Sequence, residues 1–200
     1  MKQHLENGEA NPEWLALRAG KITGSRCKAI AAGTSSQTAK NMINTLKWER
    51  RNGVVAPSYV NGDMERGTAL EPEARQAYEI DRLVVVDEVG FIPHPDHDFI
   101  GVSPDGLVGH DGFIEVKCPA ETSAHLHQAH IDAGYYASAY QHQITLLFAC
   151  MPDRKWCDVV SYYPHPDETQ PLAVWRVERD EDAIGKLVKA CLKAEKEISA

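Results

Sequence analysis

The chain has no run of about 18 apolar residues, so nothing in it reads as a membrane-spanning helix. It has no Cys-x-x-Cys pair. Its five cysteines, Cys27, Cys118, Cys150, Cys157 and Cys191, are odd in number and scattered, which argues against a disulfide framework, a zinc site and an iron–sulfur cluster, and for reduced thiols. There is no glycine-rich phosphate loop, no Ser-His-Asp order with an elbow motif and no dinucleotide fingerprint. Repeats and low-complexity linkers are also missing. The opening stretch, MKQHLENGEANPEW, lacks the apolar core of a secretory signal, so a cytoplasmic location is expected. Nine histidines invite a zinc reading, yet His125-x-His127 on a helix would diverge rather than share an ion.

What remains is an ordinary globular composition. Two hundred residues with 43% hydrophobic content suit one compact domain, 1–200, with a substantial core. The net charge of −8 disfavours indiscriminate contact with nucleic acid, but it is unevenly spread. Residues 1–55 carry nine Lys or Arg against four Glu, so the rest of the chain is the more acidic for it. A basic segment on an acidic body is compatible with a local phosphate-binding surface, and equally with a solvated helical face.

The first part of the chain, to about residue 80, reads as helical. Asn11-Pro12-Glu13 is a helix start with Asn as N-cap and Pro at the first position, and Gly20 closes that helix. Thr23-Gly24-Ser25 opens a short second helix to about Ile30, and Ser36 caps a third that ends at Arg51. Asp63 to Ile80 forms a long amphipathic helix in which Pro72 marks a boundary or kink. From about 81 to 178 the pattern is that of a sheet core: strands at Leu83–Val86, Gly90–Ile92, Phe99–Val102, Gly112–Ile114, 155–163 and 171–178, interrupted by a helix from Ala133 to Cys150. A terminal helix covers Asp180 to Ile198. The expected fold class is α/β, with a mixed central sheet flanked by helices.

The chemistry concentrates in Ser103-Pro104-Asp105-Gly106 and, ten residues after Asp105, Glu115-Val116-Lys117. Alternation along a strand points Glu115 and Lys117 to one side and Val116 to the other. With Gly109–Gly112 as a hairpin turn, Phe99–Val102 and Gly112–Ile114 would pair and bring both acids onto adjacent strands. Asp105 and Glu115 could then share a divalent cation, with Lys117 beside a water; hard oxygen donors of this kind suit Mg²⁺ or Mn²⁺ acting on a phosphodiester. Pro-Asp-Gly is also a good turn, and Glu-x-Lys is often only a solvated pair. Glu71 is a candidate further carboxylate. Gln141 and Gln143 sit in an otherwise apolar helix, where one could be satisfied by a cleft and the other by solvent.

These residues resemble the lambda-type 5′→3′ exonucleases of phage recombination systems, the viral alkaline exonucleases, from Trp14 to about Phe148. Trp14-Leu15-Ala16-Leu17-Arg18, Ile22-Thr23-Gly24-Ser25, Gly67-Thr68-Ala69-Leu70-Glu71, Ser103-Pro104-Asp105-Gly106-Leu107, Ile114-Glu115-Val116-Lys117-Cys118-Pro119 and Tyr140-Gln141-His142-Gln143 carry the likeness, in order. It implies a restriction-endonuclease-like core with Asp105, Glu115 and the Val116 carbonyl as ligands of Mg²⁺, two ions in all, with Mn²⁺ as a substitute. Lys117 would orient the attacking water, Glu71 and Gln141 would organise the site, and Arg18, Ser25 and Ser103 would bind the 5′-terminal phosphate. The implied activity is processive 5′→3′ degradation of the 5′-phosphorylated strand of double-stranded DNA to mononucleotides, leaving 3′ overhangs for single-strand annealing. A homotrimeric ring, a single-strand annealing partner and a phage or prophage gene expressed in bacterial cytoplasm are implied too. Gln141 is followed by Thr145 and Gln143 by Leu147, where helicase-associated and CRISPR-adaptation nucleases place a tyrosine, which favours the phage branch. The stretch from Pro93 to Asp98 departs from the family pattern and leaves Asp96 and Asp98 without a role. The alternatives are a structure-specific or restriction-type endonuclease of the same fold, and a silent module that binds DNA ends.

Overall fold

The computed structural model describes residues 11–57 and 62–200; residues 1–10, with most of the stretch read for a signal, and residues 58–61 lie outside it. Four helices come first. In α1 (Pro12–Arg18) the Asn11 carboxamide oxygen accepts the N–H groups of Glu13 and Trp14 at 2.9 and 3.4 Å. α2 spans Gly24–Ala31, and α3 (Gln37–Asn52) begins where Ser36 Oγ accepts Ala39 N–H and ends at a left-handed Gly53. α4 (Gly62–Arg82) continues through Pro72 rather than ending there.

The sheet has five strands in the order β1 (Val86–Asp87), β4 (Gly106–Val108), β5 (Gly112–Lys117), β6 (Trp156–Tyr162) and β7 (Leu172–Glu178). Neighbours are antiparallel except β5 and β6, which run parallel over their length, so the sheet is mixed as expected. A parallel pair needs a crossover; here it is α5 (His125–Ala133), α6 (Tyr135–Ala139) and α7 (Gln141–Cys150). Apolar residues of α2, α3, α7 and α8 (Glu181–Ile198) form the larger core against one face, with Phe113 of β5 edge-on to Phe148 of α7 at 4.9 Å. Ala74 and Tyr78 of α4 cover the other face over Ile114, Val116 and Val160.

Three expectations are corrected. The run Leu83–Val86 is not a strand: only Val86 and Asp87 pair, while Leu83 takes a positive φ of 54° and lies exposed. Phe99–Val102 does not pair with β5. Its residues Gly101–Val102 (β3) join Ile92–Pro93 (β2) in a separate two-stranded sheet, and the partner of β5 is β4. The helix from Ala133 to Cys150 is broken at Gly134, in the left-handed conformation, and again at Tyr140.

One stitch positions the N-terminal helices. Ile22, fully buried, takes the Phe99 carbonyl with its N–H and gives its own carbonyl to Gly101 N–H, a single bridge beside β3. Behind it Gly20 has φ +69°, and a Cβ there would meet Arg50 Cγ at 2.3 Å, so only glycine allows this turn. Glu49 of α3, wholly buried, accepts Gly20 N–H, Ala56 N–H and both terminal nitrogens of Arg26 at 2.7–2.9 Å. The segment from Arg18 to Ser25 is thereby fixed two residues from Ser103.

Candidate active site

Strand alternation on β5 sends Ile114 and Val116 under α4 and leaves Phe113, Glu115 and Lys117 on the α7 side. Where Phe113 meets the apolar core, Glu115 and Lys117 continue the same face into a cleft of about 330 Å³. Asp105 immediately precedes β4, and the β4–β5 register places it opposite Glu115. Its Oδ2 accepts the N–H of Val116 at 2.7 Å, a bond that locks the carboxylate across the strand pair. The two acids are therefore neighbours, as expected, although through β4 rather than β3.

The same cleft is lined by Arg18, Ser25, Glu71, Ser103, Asp105, Glu115, Val116 and Lys117, so eight of the nine expected site residues converge. Gln141 is the exception. It is exposed and borders a different depression, against Ala183, Lys186 and Leu187 of α8. Gln143 takes the expected place: its Nε2 donates to Glu115 Oε1 at 2.5 Å. Asp96 and Asp98 are not among the cleft residues.

Lys117 Nζ lies 2.5 Å from Glu115 Oε1 and 4.3 Å from the centroid of the Tyr140 ring. Burial disfavours its charge, yet Glu115 and Asp105 outweigh burial and hold the ammonium above its usual pKa. The carboxyls are raised too, which for them favours the neutral form. Burial and the neighbouring charge of Asp105 push Glu71 up to about 8. Burial, and then Asp105, push Glu115 to about 7 against the pull of Lys117. Burial raises Asp105 as well, opposed by Lys117 and the Val116 N–H. Three acids crowded in one buried place hold more negative charge than Lys117 and Arg75 neutralise.

A divalent cation would answer that excess. Glu115 Oε2 is buried without a hydrogen-bond partner, which is costly for a carboxylate oxygen unless an ion takes the place of water. Among the described residues no three His, Cys, Asp or Glu converge closely enough to hold an ion unaided. A divalent cation held by one or two carboxylates would complete its shell with water and substrate phosphate. Asp105, Glu115 and the backbone of Val116 are the residues that would hold it.

Trp14, Arg18, Ser25 and Ser103 line the same cleft. Trp14 Nε1 donates to Ser103 Oγ at 2.9 Å, and Arg18 stacks over the Trp14 ring at 4.1 Å. Burial, and then Arg26, lower the Arg18 guanidinium to about 10, and among the described residues no carboxylate pairs with it. Other bases of the N-terminal segment are spent elsewhere: Arg26 on Glu49, Arg50 on Glu195, Lys21 on the Asp98 carbonyl. The sequence gives Trp14 and Arg75 no site role, and it leaves Gln143 level with Gln141. Trp14 had been read only as an apolar helix face. Arg75 sits one helical turn after Glu71, a spacing that points to pairing (4.0 Å). Gln143 shares a helix face with Leu147, which also lines the cleft.

The sequence matches the YqaJ-like viral recombinase domain over residues 13–151. The chain is similar to an alkaline exonuclease, LHK-Exo, from Laribacter hongkongensis, with 35% identity, a TM-score of 0.84, and coverage of 94% of this chain and 93% of that one. A structure of LHK-Exo in complex with dAMP agrees, at 37% identity and a TM-score of 0.83, over 94% and 95% of the two chains. A phage-related exonuclease from Haemophilus somnus 129PT, 18% identical, shares the fold with a TM-score of 0.72 over 89% and 93%. None of the curated proteins compared matches this sequence.

Proposed function

The chain belongs to the YqaJ-like viral recombinase domain family and is a DNA exonuclease, and from that premise we propose that it degrades the 5′-phosphorylated strand of duplex DNA from its end. The products are mononucleotides and a 3′ overhang suited to single-strand annealing. The observation that carries this reading is one cleft lined by two unlike sets of groups: buried carboxylates with a lysine, and an arginine with two serines. A relative solved with dAMP holds a deoxynucleoside monophosphate, the chemistry of the proposed product.

In the mechanism, Arg18 grips the terminal phosphate with its planar fork, assisted by the Ser25 and Ser103 hydroxyls. Lys117, held by Glu115, orients the attacking water, while Glu71 and Gln143 keep the acids in place. Mg²⁺, with Mn²⁺ as a substitute, supplies Lewis-acid polarisation of the phosphodiester when held by Asp105 and Glu115. Water adds at phosphorus and the 3′ oxygen leaves, so the shortened strand carries a new 5′-phosphate. Each cut thereby regenerates the end that Arg18 recognises, which favours repeated cycles on one molecule. We extend the reading to one nuclease unit over residues 1–200, assembled as a three-chain ring, working beside an annealing protein in a bacterial cytoplasm. None of the described helices is long and apolar enough to cross a membrane.

The test uses linear duplex with one strand 5′-phosphorylated and internally labelled, Mg²⁺, and a closed circle as control. Loss of the phosphorylated strand to mononucleotides with the circle intact is expected; cutting of the circle would replace this reading with an endonuclease. Glu115→Ala and Lys117→Ala should abolish cleavage while retaining DNA binding, and Arg18→Ala should erase the preference for 5′-phosphate over 5′-hydroxyl ends.

A further inference from the structure

Beside the catalytic cleft lies a second depression of about 250 Å³, bordered by Gly24, Ser25, Lys28, Tyr135, Tyr140 and Gln143. Gly24, Ser25 and Gln143 line both, so the two share a wall and open side by side. Gly24 permits that closeness: a Cβ there would stand 3.0 Å from Gln143 Cγ. The broken crossover builds the opposite side. In a continuous helix Tyr135 and Tyr140, five residues apart, would diverge by about 140°. The non-helical Tyr140 (φ −107°, ψ 18°), which ends α6, instead lets both rings border one hollow.

The rings are unusually available. Tyr135 and Tyr140 are 36% and 38% exposed, and the buried Tyr136 backs them at centroid distances of 5.1 and 6.0 Å. His130, whose Nδ1 accepts the Tyr136 N–H, anchors that backing ring from the core. Tyr140 also lies against Lys117 and thus borders the reacting groups. Lys28 adds positive charge on the α2 side. Aromatic faces beside a cation, in a hollow too small for a duplex, are the chemistry of single-strand nucleotide binding.

Resting on the exonuclease reading, we propose that this hollow seats the base of the nucleotide being removed, stacked on Tyr140 and Tyr135, while its sugar and phosphate lie in the cleft between the Arg18–Ser25 grip and Glu115. Stacking is blind to base identity, since every base has a π-face, and that is what an enzyme digesting any sequence requires. The stack also holds the nucleotide out of the helix and fixes the scissile bond relative to Lys117.

The experiment compares single-turnover release from two 5′-phosphorylated duplexes that differ only in carrying a normal or an abasic (tetrahydrofuran) 5′-terminal residue. Relative to the wild type, the Tyr135→Ala/Tyr140→Ala double variant should lose roughly five- to a hundred-fold in the ratio of normal to abasic rates, the range of base–aromatic stacking. Tyr140→Phe should retain that ratio, because a ring without its hydroxyl still stacks. Any misalignment of Lys117 in the double variant slows both substrates alike and cancels in the ratio. A second arm needs no variant: dAMP should inhibit the wild type more strongly than 2-deoxyribose 5-phosphate. A ratio unchanged in the double variant, or equal inhibition by the two monophosphates, overturns the base seat and leaves the exonuclease reading standing. A wild type that degrades neither duplex defeats the exonuclease reading itself.

Discussion

The choice between two glutamines two residues apart makes a sharp test of the site. On a helix they point about 200° apart, so only one can reach a given cleft. Gln143 donates to Glu115 Oε1 at 2.5 Å and packs its stem on Gly24, whereas Gln141 is exposed near α8. A hydrogen bond to a charged group contributes about 1.5–3 kcal/mol. If that bond persists while the phosphodiester reacts, Gln143→Leu, which keeps the volume and removes the donor, lowers kcat/KM by about 10- to 100-fold at roughly 1.4 kcal/mol per decade. Gln141→Ala should stay within about twofold, as expected for an exposed site away from the chemistry. Initial rates on 5′-phosphorylated duplex measure both, and thermal unfolding run alongside separates lost chemistry from lost fold. A severe defect in Gln141→Ala with a normal Gln143→Leu would refute the placement of α7 against β5.

Four further outcomes follow from the geometry. Glu49→Gln should cost about 3–5 kcal/mol, since it leaves Arg26 buried without its charge partner, lowering Tm by roughly 6–20 °C. Burial raises the Glu49 carboxyl, but Arg26 and the N–H groups of Ala56 and Gly20 outweigh it and hold the group below 4.5, so its contribution is present above pH 4.5 and lost as pH falls further; a variant with wild-type acid denaturation would contradict this. Without metal, folded Glu71 keeps its proton between 4.5 and about 8 where the unfolded chain has lost it, so metal-free Tm should fall as pH rises through that window. Divalent metal should bind more tightly at pH 8.5 than at pH 6 and release protons measurable by calorimetry in two buffers; equal affinity at both would count against Glu71 and Glu115 as the titrating groups. Trp14→Ala, which removes the ring under Arg18 and the donor to Ser103, should raise KM for 5′-phosphorylated ends about 3- to 10-fold with little change in kcat, the size of a cation–π contact; a fall in kcat alone would place Trp14 elsewhere in the cycle.

The parts of the site readable from sequence are those set by short-range geometry. Glu115, Val116 and Lys117 were legible because a strand alternates its faces, and Asp105 because Pro-Asp-Gly marks a turn into a strand. The resemblance placed Arg18, Ser25 and Ser103 in one function, but only the Ile22 bridge to β3 explains how residues some eighty positions apart meet. The partner of β5 was misjudged because Phe99–Val102 is as strand-like as β4, and periodicity does not say which strand pairs with which. Leu83–Val86 failed for a related reason: β-branched residues form a strand only where an edge accepts them, and here the edge reaches only to Val86. The break at Gly134 carried its own signal, an isolated glycine inside a helical pattern, and it proved structural rather than tolerated.

Helix α1 buries none of its residues, whereas β5, with Glu115, is covered on both faces. Local opening free energies should differ accordingly, with α1 amides exchanging early and those of β5 only on global unfolding. On the proposed reading, Arg18 would hold the DNA end from a helix with no buried residue, while the reacting groups sit on a buried strand. Such a division would let the enzyme loosen its hold on a strand at each step while the chemistry stays in register.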